Sequence, residues 1–336
     1  MVKRRQLMHW MGSSMAAGIG LPAWAQGVEK PAGFPTKPLR IVVPFPPGGP
    51  ADALARPMAQ MLGDRIGQPV IIENKPGANT MIGASYVLAA PADGYTILMA
   101  NEAGLALAPA IAPVTKVDVP YDPGKDFVGG ALLAQYGSIL SVAPDVPVKT
   151  LPEFIAHARK NPGKLSYASF GIGSQPHIMM ELLNREARIE TVHVPYKGVA
   201  PATLDLMAGR VQAMISAPSG PLPHIRAGKL RAIAYSGSRR LAQLPELPTF
   251  AQGELPSFEA RGWFGLVMNS ATPEPVLAWL SEQIWAVVQS PEYQQNAIGK
   301  NGLEVPSVDP SKMSAFLADD RRKWKTVVDE LKARLV

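Results

Sequence analysis

Cysteine is absent from all 336 residues, which excludes disulfides, thiolate zinc sites, iron–sulfur clusters, a cysteine nucleophile and the lipidated cysteine of a bacterial lipoprotein. Nothing covalent holds this fold. Charge is scarce too: 18 % of the residues are charged against 47 % hydrophobic, the balance of a globular chain with apolar material for more than one core. There is no Lys/Arg stripe and no DNA- or RNA-binding motif, so no nucleic-acid partner is expected. The sequence lacks H-E-x-x-H, G-x-S-x-G, the phosphate loop and the dinucleotide fingerprint. His157, His177, His193 and His224 are scattered, which leaves no metal cluster and implies no cofactor. His177 is expected to bond its own loop, and His193 to be structural. What the chain has in excess is glycine and proline, 30 and 34 residues, so loops should be rich between ordered elements.

The N terminus has the three-part layout of an export signal. Lys3, Arg4 and Arg5 form a basic end, residues 7–21 carry no formal charge, and Ala23-Trp24-Ala25 is an A-x-A site. Residues 1–25 are therefore expected to be removed, with cleavage after Ala25. The apolar stretch is too short, and too diluted by Gly12, Ser13, Ser14, Gly18 and Gly20, to be a span. Arg4-Arg5 also fits the twin-arginine route, so the export route stays open. Half of the net charge of +6 leaves with the signal. Elsewhere no uninterrupted apolar run is long enough to cross a membrane; residues 97–114 come nearest and are broken by Asn101, Glu102 and prolines. The mature chain is expected to be soluble in the periplasm.

Short β-rich runs alternate with amphipathic helical stretches, the α/β pattern with mainly parallel strands. Strands are expected at 39–43, 70–73, 96–99, 138–142, 165–168, 191–194, 211–215, 230–234 and 262–267. Leu54, Met58, Met61 and Leu62 fall at helical spacing, and a second helix at 82–90 is stopped by Pro91. Thr150-Leu-Pro-Glu153 reads as a capping box, with Glu153 reaching back to the Thr150 amide. Thr272, Ser290 and Asp309 each stand as a cap before a proline at the first helical position. The last helix should bury Met313, Phe316, Leu317, Trp324, Val327, Val328 and Leu331. No internal repeat and no linker is visible. Two lobes joined by crossing strands are expected, the chain leaving the first near 127–135 and returning near 235–237.

Two loops could carry chemistry. PFPPGGPAD at residues 44–52 follows the first strand and precedes the first helix. Its glycines let backbone amides approach a ligand, its prolines stiffen it, and the helix start adds unsatisfied donors. The alternative is a plain strand-to-helix turn with Asp52 as N-cap. ASFGIGS at residues 168–174 has the same construction, with Gly171, Gly173, Ser169 and Ser174. Each loop alone is a weak signal; two at the carboxyl ends of strands in two lobes place anion donors where open α/β sheets bind ligands.

The stretches PLRIVVPFPPGGPADALAR (38–56), VIIENKPGANTMIGASYV (70–87), PADGYTILMAN (91–101), YASFGIGSQPHIMMELL (167–183), VPYKGVAPATLDLMAGRV (194–211) and LPTFAQGELPSFEARGWFGL (247–266) together resemble the solute receptors of tripartite tricarboxylate transporters, the Bug receptors. The resemblance covers nearly the whole mature chain. It implies a two-lobed periplasmic-binding-protein-like α/β fold (type II, a Venus flytrap) with two mixed sheets joined by crossing strands. The lobes would be 26–130 plus 237–336, and 131–236. The implied function is non-catalytic: an extracytoplasmic receptor that binds a di- or tricarboxylate, an aromatic acid or an acidic amino acid. It would act as a monomer and deliver its ligand to the integral membrane subunits of the transporter. A periplasmic sensing module that signals to a membrane kinase is the alternative. An enzyme on this scaffold is a third reading, for which the sequence shows no nucleophile with an oriented base.

Carried over from the family, Phe45, Gly48, Gly49, Ala51 and Asp52 would form one wall, flanked by Asn79 and Thr80. Ser169, Gly173, Ser174 and Tyr196 would approach from the other lobe, with ordered water taking part. The chain departs from the family pattern at three places. Ala51 replaces a usual Thr or Ser, which removes a hydroxyl contact and leaves the amide. Pro57 should kink or delay the first helix. Gln212 replaces a usual aspartate, which removes a partner for a ligand amine.

Overall fold

The computed structural model describes residues 28–256, 258 and 261–335, so the expected export signal lies outside the described residues. Ten strands form two five-stranded mixed sheets. The first sheet holds β1 (Leu39–Val43), β2 (Val70–Asn74), β3 (Thr96–Asn101), β4 (Phe127–Gly137) and β10 (Arg261–Asn269) in the order β2-β1-β3-β10-β4. The second holds β5 (Ile139–Val142), β6 (Ser166–Ser169), β7 (Val192–Pro195), β8 (Ala213–Ser216) and β9 (Arg231–Tyr235) in the order β7-β6-β8-β5-β9. Strand β1 is parallel to β2 and β3, and β6 is parallel to β7 and β8. The fourth strand of each sheet, β10 or β5, runs antiparallel to both its neighbours. Both sheets thus share one plan, three parallel strands followed by a strand that arrives by crossing over. That is the two-lobed α/β architecture expected.

The helices are α1 (Pro50–Ile66), α2 (Met81–Ala89), α3 (Ala108–Thr115), α4 (Leu151–Lys160), α5 (Gln175–Ala187), α6 (Val199–Met207), α7 (Leu222–Arg226), α8 (Glu274–Val288), α9 (Pro291–Tyr293) and α10 (Met313–Leu331). They cover the sheets, which is why β1 can be almost wholly apolar: Leu39, Ile41, Val42 and Val43 are all buried. Pro57 does not delay α1, which starts seven residues earlier at Pro50 and runs through it to a left-handed Gly67. Thr150 caps α4 through the Glu153 amide, but the Glu153 carboxylate reaches back to Lys149 N at 2.6 Å and not to Thr150. Ser290 and Asp309 cap as expected; Thr272 does not, because α8 opens one residue later on Pro273.

Strand β4 keeps to the first sheet through Gly137, so the chain changes sheets at Ser138, later than the boundary expected at 130. The return strand meets it there. Ser138 N donates to Ser236 Oγ at 2.8 Å, Ser236 N to Ser138 O at 2.9 Å, and Gly137 N to Tyr235 Oη at 2.8 Å. Only glycine fits at 137, since a β carbon would lie 2.4 Å from Gly237 N.

The cores do not respect the sheets. Met313 and Leu317, early in α10, pack with Val42, Leu98, Leu132 and Trp263 of the first sheet. Trp324, Val328 and Leu331, late in the same helix, join the core of the second, as do Leu107 and Ile111 around the start of α3. Of the residues expected inside, Phe316 and Val327 are only partly buried.

Candidate functional site

Four helices begin just beyond the carboxyl ends of parallel strands: α1 after β1, α2 after β2, α5 after β6 and α6 after β7. The loops at these ends meet. Asn79 Nδ2, in the turn before α2, donates to Gly173 O of the second sheet's loop at 3.4 Å. Gly198, before α6, faces the first loop: a β carbon there would lie 4.0 Å from Pro46 Cγ. The 77–80 turn of the first sheet therefore touches the second glycine loop, and the first glycine loop lies near the turn that starts α6.

In the first loop Asp52 is not the N-cap. Gly49 holds that position and Asp52 lies three residues on, its carboxylate turned back into the loop. It accepts from Gly48 N at 3.0 Å, Arg56 Nε at 2.8 Å and Asn74 Nδ2 at 3.4 Å. Burial alone would raise its pKa, but these bonds outweigh burial and hold it below the ordinary carboxylate range. Asn74 Nδ2 also donates to Phe45 O at 3.0 Å, fixing the loop from the strand beneath. Gly48 N is thereby spent on Asp52. The amide hydrogens of Gly49, Ala51 and Asp52 find no acceptor among the described residues and stand at the positive end of α1.

The 77–80 turn is the strained part of the site. Gly77, Ala78, Asn79 and Thr80 take φ of 128°, 45°, 49° and 77° in succession, and three of the four are not glycine. Left-handed backbone costs roughly 1–2 kcal/mol per non-glycine residue. Such a run persists only where its surroundings fix it, and it concentrates at ligand clamps. Thr80 is buried against Gly104, while the Asn79 side chain is left to reach the second loop.

The second loop is tied up from within. Ser174 Oγ donates to Gly171 O at 2.6 Å, Gly171 N donates to Ser169 Oγ at 3.0 Å, and Phe170 N to Ser174 Oγ at 3.3 Å. Both serines are buried, so their hydroxyls shape the loop. His177 Nδ1 accepts Gly173 N–H at 3.1 Å, the bond to its own loop expected of it. Ser169 Oγ makes a short hydrogen bond to His193 Nε2, and the two imidazoles stack at 4.2 Å. Burial, with a contribution from His193, lowers the His177 pKa to about 3, and burial lowers that of His193; both rings are neutral at pH 7. No carboxylate among the described residues hydrogen-bonds to His193, so the pair lacks the third group that orients a catalytic base. The Tyr196 hydroxyl is likewise engaged, donating to Asp205 at 2.9 Å.

Two features escaped sequence reasoning. One is the start of α6, where Gly198 caps a helix aimed at Pro46. The other is Lys197 beside it, exposed and without an ion pair among the described residues. The signal was there in Lys197-Gly198 followed by Pro201, a glycine cap with proline in the first turn. Gln212, in contrast, lies at the amino end of β8, bonded to Ser166 N at 2.9 Å and Gly209 O at 2.9 Å. It sits at the far end of the strand from the glycine loops. No group of three or more His, Asp or Glu able to hold a metal occurs among the described residues.

Residues 54–333 match the family described as "Tripartite tricarboxylate transporter family receptor". Protein BugT of Bordetella pertussis is 33 % identical over 325 residues, which cover 96 % of this chain and 98 % of that one. An R. palustris protein solved with adipate superposes with a TM-score of 0.82 at 31 % identity, covering 89 % of this chain and 98 % of its own. MatC from Rhodopseudomonas palustris, with bound malate, gives 0.81 at 30 % identity over 88 % of this chain and 100 % of its own. With the family match spanning most of the sequence and the fold shared over nearly all of it, this chain belongs to the tripartite tricarboxylate transporter receptor family.

Proposed function

We propose that this protein is a non-catalytic periplasmic receptor that captures a small organic carboxylate between its two sheets and delivers it to the integral membrane subunits of a tripartite tricarboxylate transporter. The observation that carries the reading is the Asn79–Gly173 bond, which joins the turn before α2 to the loop before α5; the reading sets the starts of α1, α5 and α6 around one cleft there. Desolvating a carboxylate costs several kcal/mol. Hydrogen bonds to a charged group return roughly 1.5–3 kcal/mol each, and a helix N terminus adds about 0.3–2 kcal/mol. Three or four donors are therefore the minimum. The unpaired amides of Gly49, Ala51 and Asp52 supply three from one wall, and Asn79 Nδ2 and the exposed Lys197 are the further donors this reading calls on.

In this reading the ligand's carboxylate meets main-chain donors near Phe45, Gly48, Gly49, Ala51 and Asp52. Asn79 and Thr80 close one side, and Gly173, Tyr196 and Lys197 approach from the other. Ser169 and Ser174 keep that second loop in shape. The sheets swing about Gly137–Ser138 and Tyr235–Gly237, making lobes of the segments on either side. The adipate and malate held by related proteins are of the same chemical class.

Calorimetric titration with adipate, malate, citrate, benzoate and glutamate tests the proposal. Micromolar binding of at least one, with the ligand recovered chemically unchanged, is the expected result; heat from none of them overturns it. Co-purification with the transporter's membrane subunits separates delivery from sensing.

A further inference from the structure

A second concave site lies behind the crossing strands and shares no residue with the cleft. It is a cavity of about 490 Å³ whose lining includes Ser238, Arg239, Arg240, Arg261, Glu304 and Ser307. Its size is that of a small-molecule pocket. Three guanidinium groups face one carboxylate there. Arg240 is committed to its own loop, donating to Pro245 O at 3.0 Å and to Gln252 Oε1 at 3.0 Å. Arg261 forms an ion pair with Glu304, yet its Nε is buried with no hydrogen-bond partner among the described residues. Arg239 is exposed, with no hydrogen bond or ion pair among the described residues. The Ser238 and Ser307 hydroxyls are equally unpaired. The remaining wall is apolar: Leu241 and Leu303 are buried, and Val305 is 43 % exposed.

A buried guanidinium nitrogen without an acceptor is costly unless something supplies one, and a planar fork beside a second free guanidinium matches the two oxygens of a carboxylate. Inorganic phosphate would satisfy the arginines and leave the apolar wall bare. We infer that this cavity is a second binding site, for a small organic acid that sets its carboxylate on Arg239 and Arg261 and its apolar body against Leu241, Leu303 and Val305. The site adjoins the hinge: Glu304 accepts from Tyr235 Oη at 3.1 Å, and its backbone pairs both ways with Gln135. Its occupant competes with Glu304 for the Arg261 side chain.

The test is to soak crystals of the purified protein in 4-iodobenzoate and locate iodine by anomalous scattering, with calorimetry in parallel. Iodine beside Val305, and binding about tenfold weaker in Arg239→Gln, are expected. Arg239 has no partner to lose, so its replacement leaves the fold intact. Val305→Glu, a second surface change, sets a carboxylate on the apolar wall and should abolish the iodine peak. Asn79→Gly, a cleft variant, should leave this peak in place, so failure of the cleft reading and of this one are distinguishable. Absence of iodine here in the wild type, equal affinity in Arg239→Gln, or phosphate binding as tightly as iodobenzoate overturns the inference.

Discussion

Replacing Glu102 with glutamine should make the protein more stable, and by an amount that grows with pH. Glu102 follows β3 directly and is 1 % exposed. It accepts from Tyr136 Oη at 3.1 Å and Trp263 N at 3.1 Å. Burial, reinforced by the nearby Asp320 carboxylate, pushes its pKa to about 8. At neutral pH the folded protein therefore holds a proton here that the unfolded chain has released. Stability contributed by the protonated group is complete below the ordinary pKa of 4.5 and falls as pH rises towards 8. The loss is about 1.4 kcal/mol per pH unit, or at most about 5 kcal/mol in all. Glutamine has the shape of the protonated acid, can accept the Trp263 amide and donate to the Tyr136 oxygen, and does not titrate. Urea unfolding followed by tryptophan fluorescence at pH 5, 7 and 9 should show the two proteins nearly equal at the first, E102Q ahead by about 3 kcal/mol at the second, and further ahead at the third. Asp320, itself pushed by burial to about 6, is present in both proteins and largely cancels. A gap that stays constant across the three pH values, or a glutamine variant that is weaker throughout, would mean that Glu102 is ionised in the fold and the reasoning is wrong.

Asn79→Gly keeps a residue that accepts φ of 49° while removing the amide that bridges the cleft. Carboxylate affinity measured by calorimetry should fall about tenfold with stability within ~0.5 kcal/mol of the parent, and unchanged affinity would remove Asn79 from the site. Tyr235→Phe deletes the hydroxyl that takes the Gly137 amide proton and donates to Glu304. Leaving that buried amide unpaired should cost about 1–3 kcal/mol in urea unfolding; a cost below ~0.5 kcal/mol would show that the amide is satisfied in some other way.

Strands were legible wherever both faces are covered, because such strands must be largely apolar, as β1 is apart from the exposed Arg40 and β3 is from Ile97 to Ala100. The repeated plan of the two sheets was not, since topology is conserved by pairing geometry and leaves no matching residues behind. Helix α3 was hidden too. Its sequence, APAIAPVT, has prolines at two positions and no polar face, because Ile111 packs beneath Gly173 while its neighbours join the second core. Glycine spacing pointed to both loops, but composition cannot say which way a short side chain turns. Ser169, Ser174 and Asp52 have groups that could meet a ligand, and all three turn inward onto the backbone of their own loops. The strain at 77–80 was illegible for the same reason: Ala78 and Thr80 are residues nobody would place at positive φ from sequence alone.

Helix α10 ties the two sheets together. Its first turns are fastened to the first sheet by Met313 and Leu317, and its last to α5 by Glu330–Arg185 at 2.8 Å, with Arg334 in the turn just beyond it bonded to Glu181 at 2.9 Å. If the sheets swing apart as the proposed function requires, a rod pinned to both must flex or slip between the pins. The segment available for this is short, from Leu317 to Trp324, and the Asp320 bond to Trp263 Nε1 at 2.8 Å falls inside it. In that proposed swing the unit that travels with the second sheet would include α3 and the C-terminal end of α10, which share its core, and the swing would be limited by how far one helix can bend in two turns.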